Sequence, residues 1–250
     1  MGIWWRAAVV LAAFVAVGER RAQSDNVVLS PSKDNTLYQD DFGETSNGQG
    51  QHFFVGRTGG LTPPIRRGLI SFDIAGNIPA GSIIEHVTLT LHMSRSFTGA
   101  EIEIDLRQVL TGWGEGASVA QGNEGAGAPA APGDATWLHT FYDTDFWARQ
   151  GGDFADTLSA SAAVSEVGFY SFNSTFNPGL LSDVQQWLDS PETNNGWGVF
   201  AADEFLPISA KRFDSRENAN PGFQPSLSVD YQTSCQQTIW NGYIKGRGEQ

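Results

Sequence analysis

The chain has 250 residues, 40% of them hydrophobic, which suits one substantial core in a single all-β domain. Its 15 basic and 28 acidic residues leave a net charge of −13, which argues against nucleic acid or an anionic membrane surface as partner. An anionic polysaccharide stays open, because a local Arg/Lys cluster can override the global sign. The acidity also favours a structural Ca2+, a hard cation that takes carboxylate and carbonyl oxygens.

Arg6 precedes an apolar run from Ala7 to Val17, and Ala16-Val17-Gly18 places small residues where a signal peptidase reads them. The expectation is cleavage after Gly18, or as late as Ala22. The run is shorter than the roughly 20 residues a membrane span needs, and no second apolar stretch follows. The sequence therefore predicts an exported monomer with no membrane span, extracellular, periplasmic or attached at the cell surface. Cys235 is the single cysteine, so neither a disulfide framework nor a thiolate metal site is expected.

The domain proper reads from Asn26 to Tyr231. Val27-Val28-Leu29 and Lys33 to Tyr38 are short strands, and Asp40 to Gly50 is a polar, Gly-rich loop. Phe53 to Gly56 is a strand. Arg67 to Ile74 alternates with Ile70, Phe72 and Ile74 inward, which leaves Leu69 on the outer register in need of cover. Ile84 to Met93 alternates most cleanly, with Val87, Leu89, Leu91 and Met93 on one face and His86, Thr88, Thr90 and His92 on the other. Six residues at about 3.3 Å rise separate those two histidines by on the order of 20 Å, so they read as exposed strand residues and not as a metal pair. Glu101 to Leu106 sets Ile102, Ile104 and Leu106 inward and a solvated acidic row outward.

Trp113 to Phe154 reads as a long inserted loop. It opens Trp113-Gly114-Glu115-Gly116, crosses a Gly/Ala/Pro-rich run from Ala117 to Gly133, and then gathers Asp134, Trp137, His139, Tyr142, Asp143, Asp145 and Trp147. Alternation resumes at Glu166 to Phe172 through Val167 and Phe169. Asn177-Pro178-Gly179 starts a helix whose Leu180, Leu181, Val184, Trp187 and Leu188 follow helical spacing until Asp189-Ser190-Pro191. Trp197 to Ala201, Ile208 to Phe213 and Leu227 to Tyr231 complete the strands, and a polar tail runs from Gln232 to Gln250. One helix among about ten short strands predicts an antiparallel β-sandwich of jelly-roll type with one short helix and a long inserted loop.

Several segments, in order, resemble the DNRLRE domain family, also described as a carbohydrate-binding module family and found beside disaggregatase-type polysaccharide-degrading enzymes. They are Asp34-Asn35-Thr36-Leu37-Tyr38, Arg67 to Asp73, Ile78-Pro79-Ala80-Gly81 and Trp113-Gly114-Glu115-Gly116. Asp134-Ala135-Thr136-Trp137, Val184 to Leu188 with Asn195-Gly196, Phe213-Asp214-Ser215-Arg216-Glu217 and Pro225 to Tyr231 follow. The resemblance covers Val27 to Tyr231. It implies a secreted jelly roll that binds, or sits near, extracellular polysaccharide; the insertion between Trp113 and Trp137 is longer than the common pattern.

Sugar rings stack on Trp or Tyr, and their hydroxyls take carboxylates and Arg as partners. Trp113, Trp137, Tyr142, Asp143, Asp145, Trp147 and Arg149 are accordingly the candidate glycan-binding residues, with a mini-core that pins the loop as the structural alternative. A rival reading is a polysaccharide-degrading enzyme. A glycoside hydrolase needs two carboxyls about 5–9 Å apart, for which Glu115 with Asp143 or Asp145 is the candidate pair. A lyase needs a base such as Tyr142 or His139 and a cation, Arg149 or Lys211, to neutralise the uronate. A third reading is a structural or adhesion protein of the cell surface or matrix. For Ca2+, the candidates are Asp34 and Asn35 near the first strand, with Asp214, Glu217 and Asp230 near the last.

Overall fold

The computed structural model describes residues 24–59 and 64–233. The expected signal segment, Cys235 and the residues past 233 lie outside the described residues. The first seven strands are β1 (Ser24–Leu29), β2 (Lys33–Tyr38), β3 (Thr45–Ser46), β4 (His52–Arg57), β5 (Ile65–Ser71), β6 (Ile83–Ser96) and β7 (Ile102–Gln108). The insertion contributes β8 (Ala128–Pro129), β9 (His139–Phe141) and β10 (Asp145–Phe146). Then come β11 (Ala160–Val164), β12 (Gly168–Asn173), helix α1 (Pro178–Asp189), β13 (Trp197–Ala201), β14 (Lys211–Asp214) and β15 (Ser226–Gln232).

The fold is all-β and jelly-roll-like: one large curled antiparallel sheet closes on itself as two leaves. In the first leaf β6 is the hub. β12 pairs along one edge, and β15 and β14 follow each other along the opposite edge. β1 adds to β15 and β4 to β14. In the second leaf β5 lies between β2 and β13, and β7 and β11 continue outward. β4 pairs with β14 along its length and with β5 at Gly56 and Arg57, which ties the two leaves together. Among the described residues no helix is long and apolar enough to cross a membrane.

The main core lies between the leaves. The alternating residues Val87, Leu89, Leu91 and Met93 of β6 meet Ile70, Phe72, Trp197 and Val199 of the other leaf, all fully buried. Helix α1 closes one end with Leu180, Val184, Trp187 and Leu188, its boundaries set by Pro178 at the N-terminus and by Pro191 just past the C-terminus. Trp187 packs on Trp197 at 4.5 Å between centroids. Trp197 Nε1 donates to Asp183 across 2.8 Å, a buried carboxyl that desolvation holds above its ordinary range.

A second, smaller core lies on the outer face of the second leaf. Leu37, Leu69 and Phe200 point away from the main core and are covered by Val109, Trp113, Ala135, Trp137, Trp147 and Phe154 of the insertion. Leu69 thus finds the cover its register demanded. The two ends of the insertion are joined by a bridge between Val109 and Phe154.

Four local expectations are corrected. β11 was hidden because Ala160-Ser161-Ala162-Ala163 lacks β-branched residues; it forms because β7 offers an open edge. β12 runs in the opposite phase to that expected: Val167 and Phe169 are exposed, and Phe172 is buried. Ile208 is no strand residue, since its φ of 61° is left-handed, and the strand begins at Lys211. His86 is half-buried against Ser174 and Asn173, and His92 is buried, 8% exposed, beneath Phe169 and Phe223.

Candidate functional site

The indoles expected to display a sugar platform are packed inward. Trp113, Trp137 and Trp147 are 2%, 6% and 6% exposed, so the mini-core reading holds for all three. Trp113 Nε1 donates to Asn195 O at 2.8 Å and Trp147 Nε1 to Thr136 O at 2.9 Å, which satisfies both buried N–H groups within the protein. The Arg67 guanidinium lies 4.9 Å over Trp137 and forms a two-point ion pair with Glu204. The physical reason is a long-range contact: the outer face of β2, β5 and β13 carries Leu37, Leu69 and Phe200, and the insertion's rings shield them.

What the insertion does show to solvent is the β9–β10 hairpin. Asp143 and Asp145 are exposed in it and Tyr142 half-exposed, flanked by Phe141 and Phe146. His139 is buried beneath this tip, with Tyr142 edge-on at 5.1 Å and Phe146 at 4.4 Å, and its Nδ1 contacts Thr136 Oγ1. Arg149 is exposed on the rim of a separate polar hollow of about 370 Å3, near Arg67, Arg107 and Phe200. Lys211, the other proposed cation, is buried, and its Nζ donates to Ser96 Oγ, Ala100 O and Ser165 O. It is not available to a ligand.

The expected metal ligands do not gather at one place. Asp230 accepts from Asn26 on the β1–β15 edge. Asp214 lies between His52 and His92. Asn35 is buried and occupied with Ser46, Glu115 O and Ala135 O. Asp34 and Glu217 do meet, but around a cation the protein supplies itself. Arg216 makes a two-point pair with Glu115 at 2.7 and 2.8 Å and contacts Glu217 at 2.7 Å. Asp34 Oδ2 accepts from Arg216 N, and Asp34 N donates to Glu115. Among the described residues no cluster of three or more His, Cys, Asp or Glu side chains is arranged to hold a metal ion. Glu115, bonded to Arg216, Asp34 N and Gln49, is likewise not free to act as the acid or base of a hydrolytic pair.

This clasp brings together the Trp-Gly-Glu-Gly and Ser-Arg-Glu segments and the start of β2. Gly116 is needed there: its φ is +73°, and a Cβ would lie 1.5 Å from Asp134 Oδ1. The clasp also makes stability depend on pH. Burial and then Glu115 push the Glu217 carboxyl up to about 7, against the pull of Arg216. Burial and then Glu217 raise that of Asp34. Lys33, whose ammonium donates to Trp113 O at 2.6 Å, is lowered to about 8 by burial, against the pull of Glu115.

The raised acids keep protons in the folded state that the unfolded chain releases, so their stabilising effect is lost as pH rises through 7. Lys33 acts oppositely: its depressed value costs stability as pH falls through 8. Urea titrations are expected to show a shallow stability minimum at about pH 7–8. Glu217→Gln should remove on the order of 2 kcal/mol of the decline between pH 5 and 7.5. An unchanged slope in that variant would show that the clasp does not set it.

A second concave surface that joins cations to rings lies on the outer face of the first leaf. It is a groove of about 470 Å3 whose floor is Phe54, Arg212 and Arg95, side by side on β4, β14 and β6. The register between β14 and β6 shifts here: Phe213 opposes Met93 while Arg212 opposes Arg95. The extra residue, Ser94, turns Arg95 outward, whereas regular alternation from Met93 would have turned it into the core. One wall is the insertion at Asn123 and Gly125, and the other is Phe97, 75% exposed, with Ile208. Arg66 lies behind them over the Tyr38 ring at 4.6 Å, its Nε buried without a hydrogen-bond partner.

Neither Arg95 nor Arg212 has a carboxylate partner within salt-bridge distance among the described residues. Among the described residues the Arg212 side chain makes one hydrogen bond, Nε to Ser94 Oγ at 3.0 Å. Burial disfavours its charged form, Asp214 favours it and Arg95 disfavours it again. In a chain of net charge −13 these are two adjacent guanidiniums with no directly bonded carboxylate, Arg212 being balanced only at longer range by Asp214 and Glu124.

No protein-family model matches the chain, and no curated protein matches it either. The groove therefore has to be read from its own chemistry. Sequence reasoning missed Arg95, Arg212, Phe54 and Phe97. Arg95 is brought into the row by a bulge, and a bulge leaves no mark in a pattern of alternation.

Proposed function

We propose that the protein is a non-catalytic binder of acidic polysaccharide, with the groove floored by Phe54, Arg212 and Arg95 as its site. The observation that carries this reading is the directly opposed pair of unpaired arginines. Like charges opposite each other across neighbouring strands are destabilising, and an anion placed between them relieves that repulsion. A guanidinium offers two parallel donors to a carboxylate or sulfate, while Phe54 and Phe97 offer apolar ring faces to the C–H side of a sugar. The groove is an open trough on a sheet, which suits a chain passing through more than a small ligand enclosed on all sides. Export, expected from the first residues, would bring the protein to such a polymer.

The test is titration of the purified protein with oligogalacturonate and with a neutral cello-oligosaccharide of equal length. Arg95→Ala and Arg212→Ala are each expected to weaken oligogalacturonate binding about tenfold, a cost of about 1.4 kcal/mol, and to flatten its salt dependence. Equal affinity for the neutral chain, or a double variant that binds like the parent, would overturn the assignment.

A further inference from the structure

Among the described residues Glu124 is one of two non-glycine residues with positive φ, at 61°, and it lies in the wall of the groove between Asn123 and Gly125. A left-handed conformation of this kind costs on the order of 1 kcal/mol and persists only where surroundings impose it. Here they do. The Glu124 carboxylate is buried and takes Asn47 Nδ2 at 3.1 Å, His52 N at 2.9 Å, Gln51 N at 3.3 Å and His52 Nδ1 at 3.1 Å. Its carbonyl accepts from Tyr38 Oη at 3.0 Å, and Gly125 O faces Arg66. Burial opposes the charge of Glu124, but His52 and Asn47 outweigh it and draw the carboxyl below its ordinary range.

The other nitrogen of His52 is also occupied. Nε2 lies 3.3 Å from Asp214 Oδ1, and the second oxygen of Asp214 lies 2.5 Å from His92 Nδ1. One imidazole thus spans two carboxylates. A neutral ring has one N–H and one lone pair, so it can donate to Glu124 or to Asp214 but not to both. Both contacts are attractive only when the ring carries two protons.

We infer that His52 and Glu124 are positioning residues of the groove, and that they hold its wall most tightly while His52 is doubly protonated. This rests on the groove being the binding site. The charged groups that bear on His52 are Glu124 from the insertion, Asp214 from β14, His92 through Asp214, and Arg212, which lies in the field of both acids. Arg212 is itself in the floor. Loss of the proton therefore loosens the wall and disturbs the charge balance of the floor together.

The experiment has two arms. In the first, amide hydrogen exchange of residues 121–127 in the free protein is followed from pH 5.5 to 8.5, corrected for the intrinsic rate, alongside carbon-detected NMR of the His52 ring. Protection is expected to fall about tenfold as the ring passes from two protons to one. His52→Gln, which cannot change charge, should show the low protection at every pH. In the second, oligogalacturonate affinity of the parent should fall about tenfold over the same range, and that of His52→Gln should stay flat. A His52 ring that holds a single proton while the loop is fully protected, or identical profiles for parent and variant, would overturn the inference. If the exchange arm succeeds and oligogalacturonate binds at no pH, the latch stands and the assignment of the groove fails.

Discussion

Trp137→Ala is expected to lower the stability of the protein by about 3–5 kcal/mol while leaving glycan affinity of the folded variant unchanged. The ring is 6% exposed and sits in the second core beneath the Arg67 guanidinium. Gly151, whose N–H donates to Trp137 O at 2.7 Å, would place a Cβ only 2.8 Å from the indole, so the backbone is drawn up against it. Removing the indole leaves a cavity bounded by parts of the leaf and of the insertion, and neither can collapse freely because both are tied by ladder hydrogen bonds. Denaturant unfolding and binding titration on the same preparation distinguish the roles. Undiminished stability with lost binding would return this ring to the ligand site.

The second large effect concerns the clasp. Arg216→Ala removes the cation bonded to Glu115 and Glu217, and leaves these and Asp34 as three carboxylates close together. Breaking a buried pair on one side costs about 3–5 kcal/mol; because Arg216 is partly open to water, a loss of about 3 kcal/mol at pH 8 is the expectation. The sign of its pH dependence follows from the remaining acids. With Arg216 gone, Glu217 and Asp34 lose a charge that favours their ionised forms, and protonation at pH 5 relieves the repulsion. The deficit should therefore shrink in acid. A deficit independent of pH would mean that packing of the arginine stem, and not its charge, holds the clasp.

Much of the architecture was legible in the sequence because the strands that line the main core obey strict alternation. β6 is the clearest case, where Val87 to Met93 sets every inward residue. Helix α1 was legible for the same reason, its apolar spacing being bounded by proline at both ends. The failures occur where a segment has two sides to satisfy. Phe169 carries a hydrophobic signal yet lies on the outer face, because it caps His92 together with Phe223.

The candidate site was less legible still. The aromatic content of the insertion drew attention to rings that face Leu37, Leu69 and Phe200, a contact that depends on residues far away in the chain. Its contribution to the groove comes from Asn123, Glu124 and Gly125, through backbone position and one carboxylate. Nothing in composition marks those three. Asp34 and Glu217 were chosen as cation ligands for their oxygens, and both do converge on Glu115, which was chosen as a catalytic carboxyl. The arginine between them decides what that convergence means.

The bridge between Val109 and Phe154 means that the insertion leaves the sandwich and returns to it at nearly one point. Length can therefore be added to or taken from this excursion without altering the pairing of any strand in the two leaves, since the anchor points stay where they are. Its interior is constrained by the rings that shield the outer face of the second leaf, by Glu115 in the clasp, by the short β3–β8 pairing and by the carboxylate that fixes the groove's rim. The framework and the recognition surface are thus free to vary at different rates along one continuous chain.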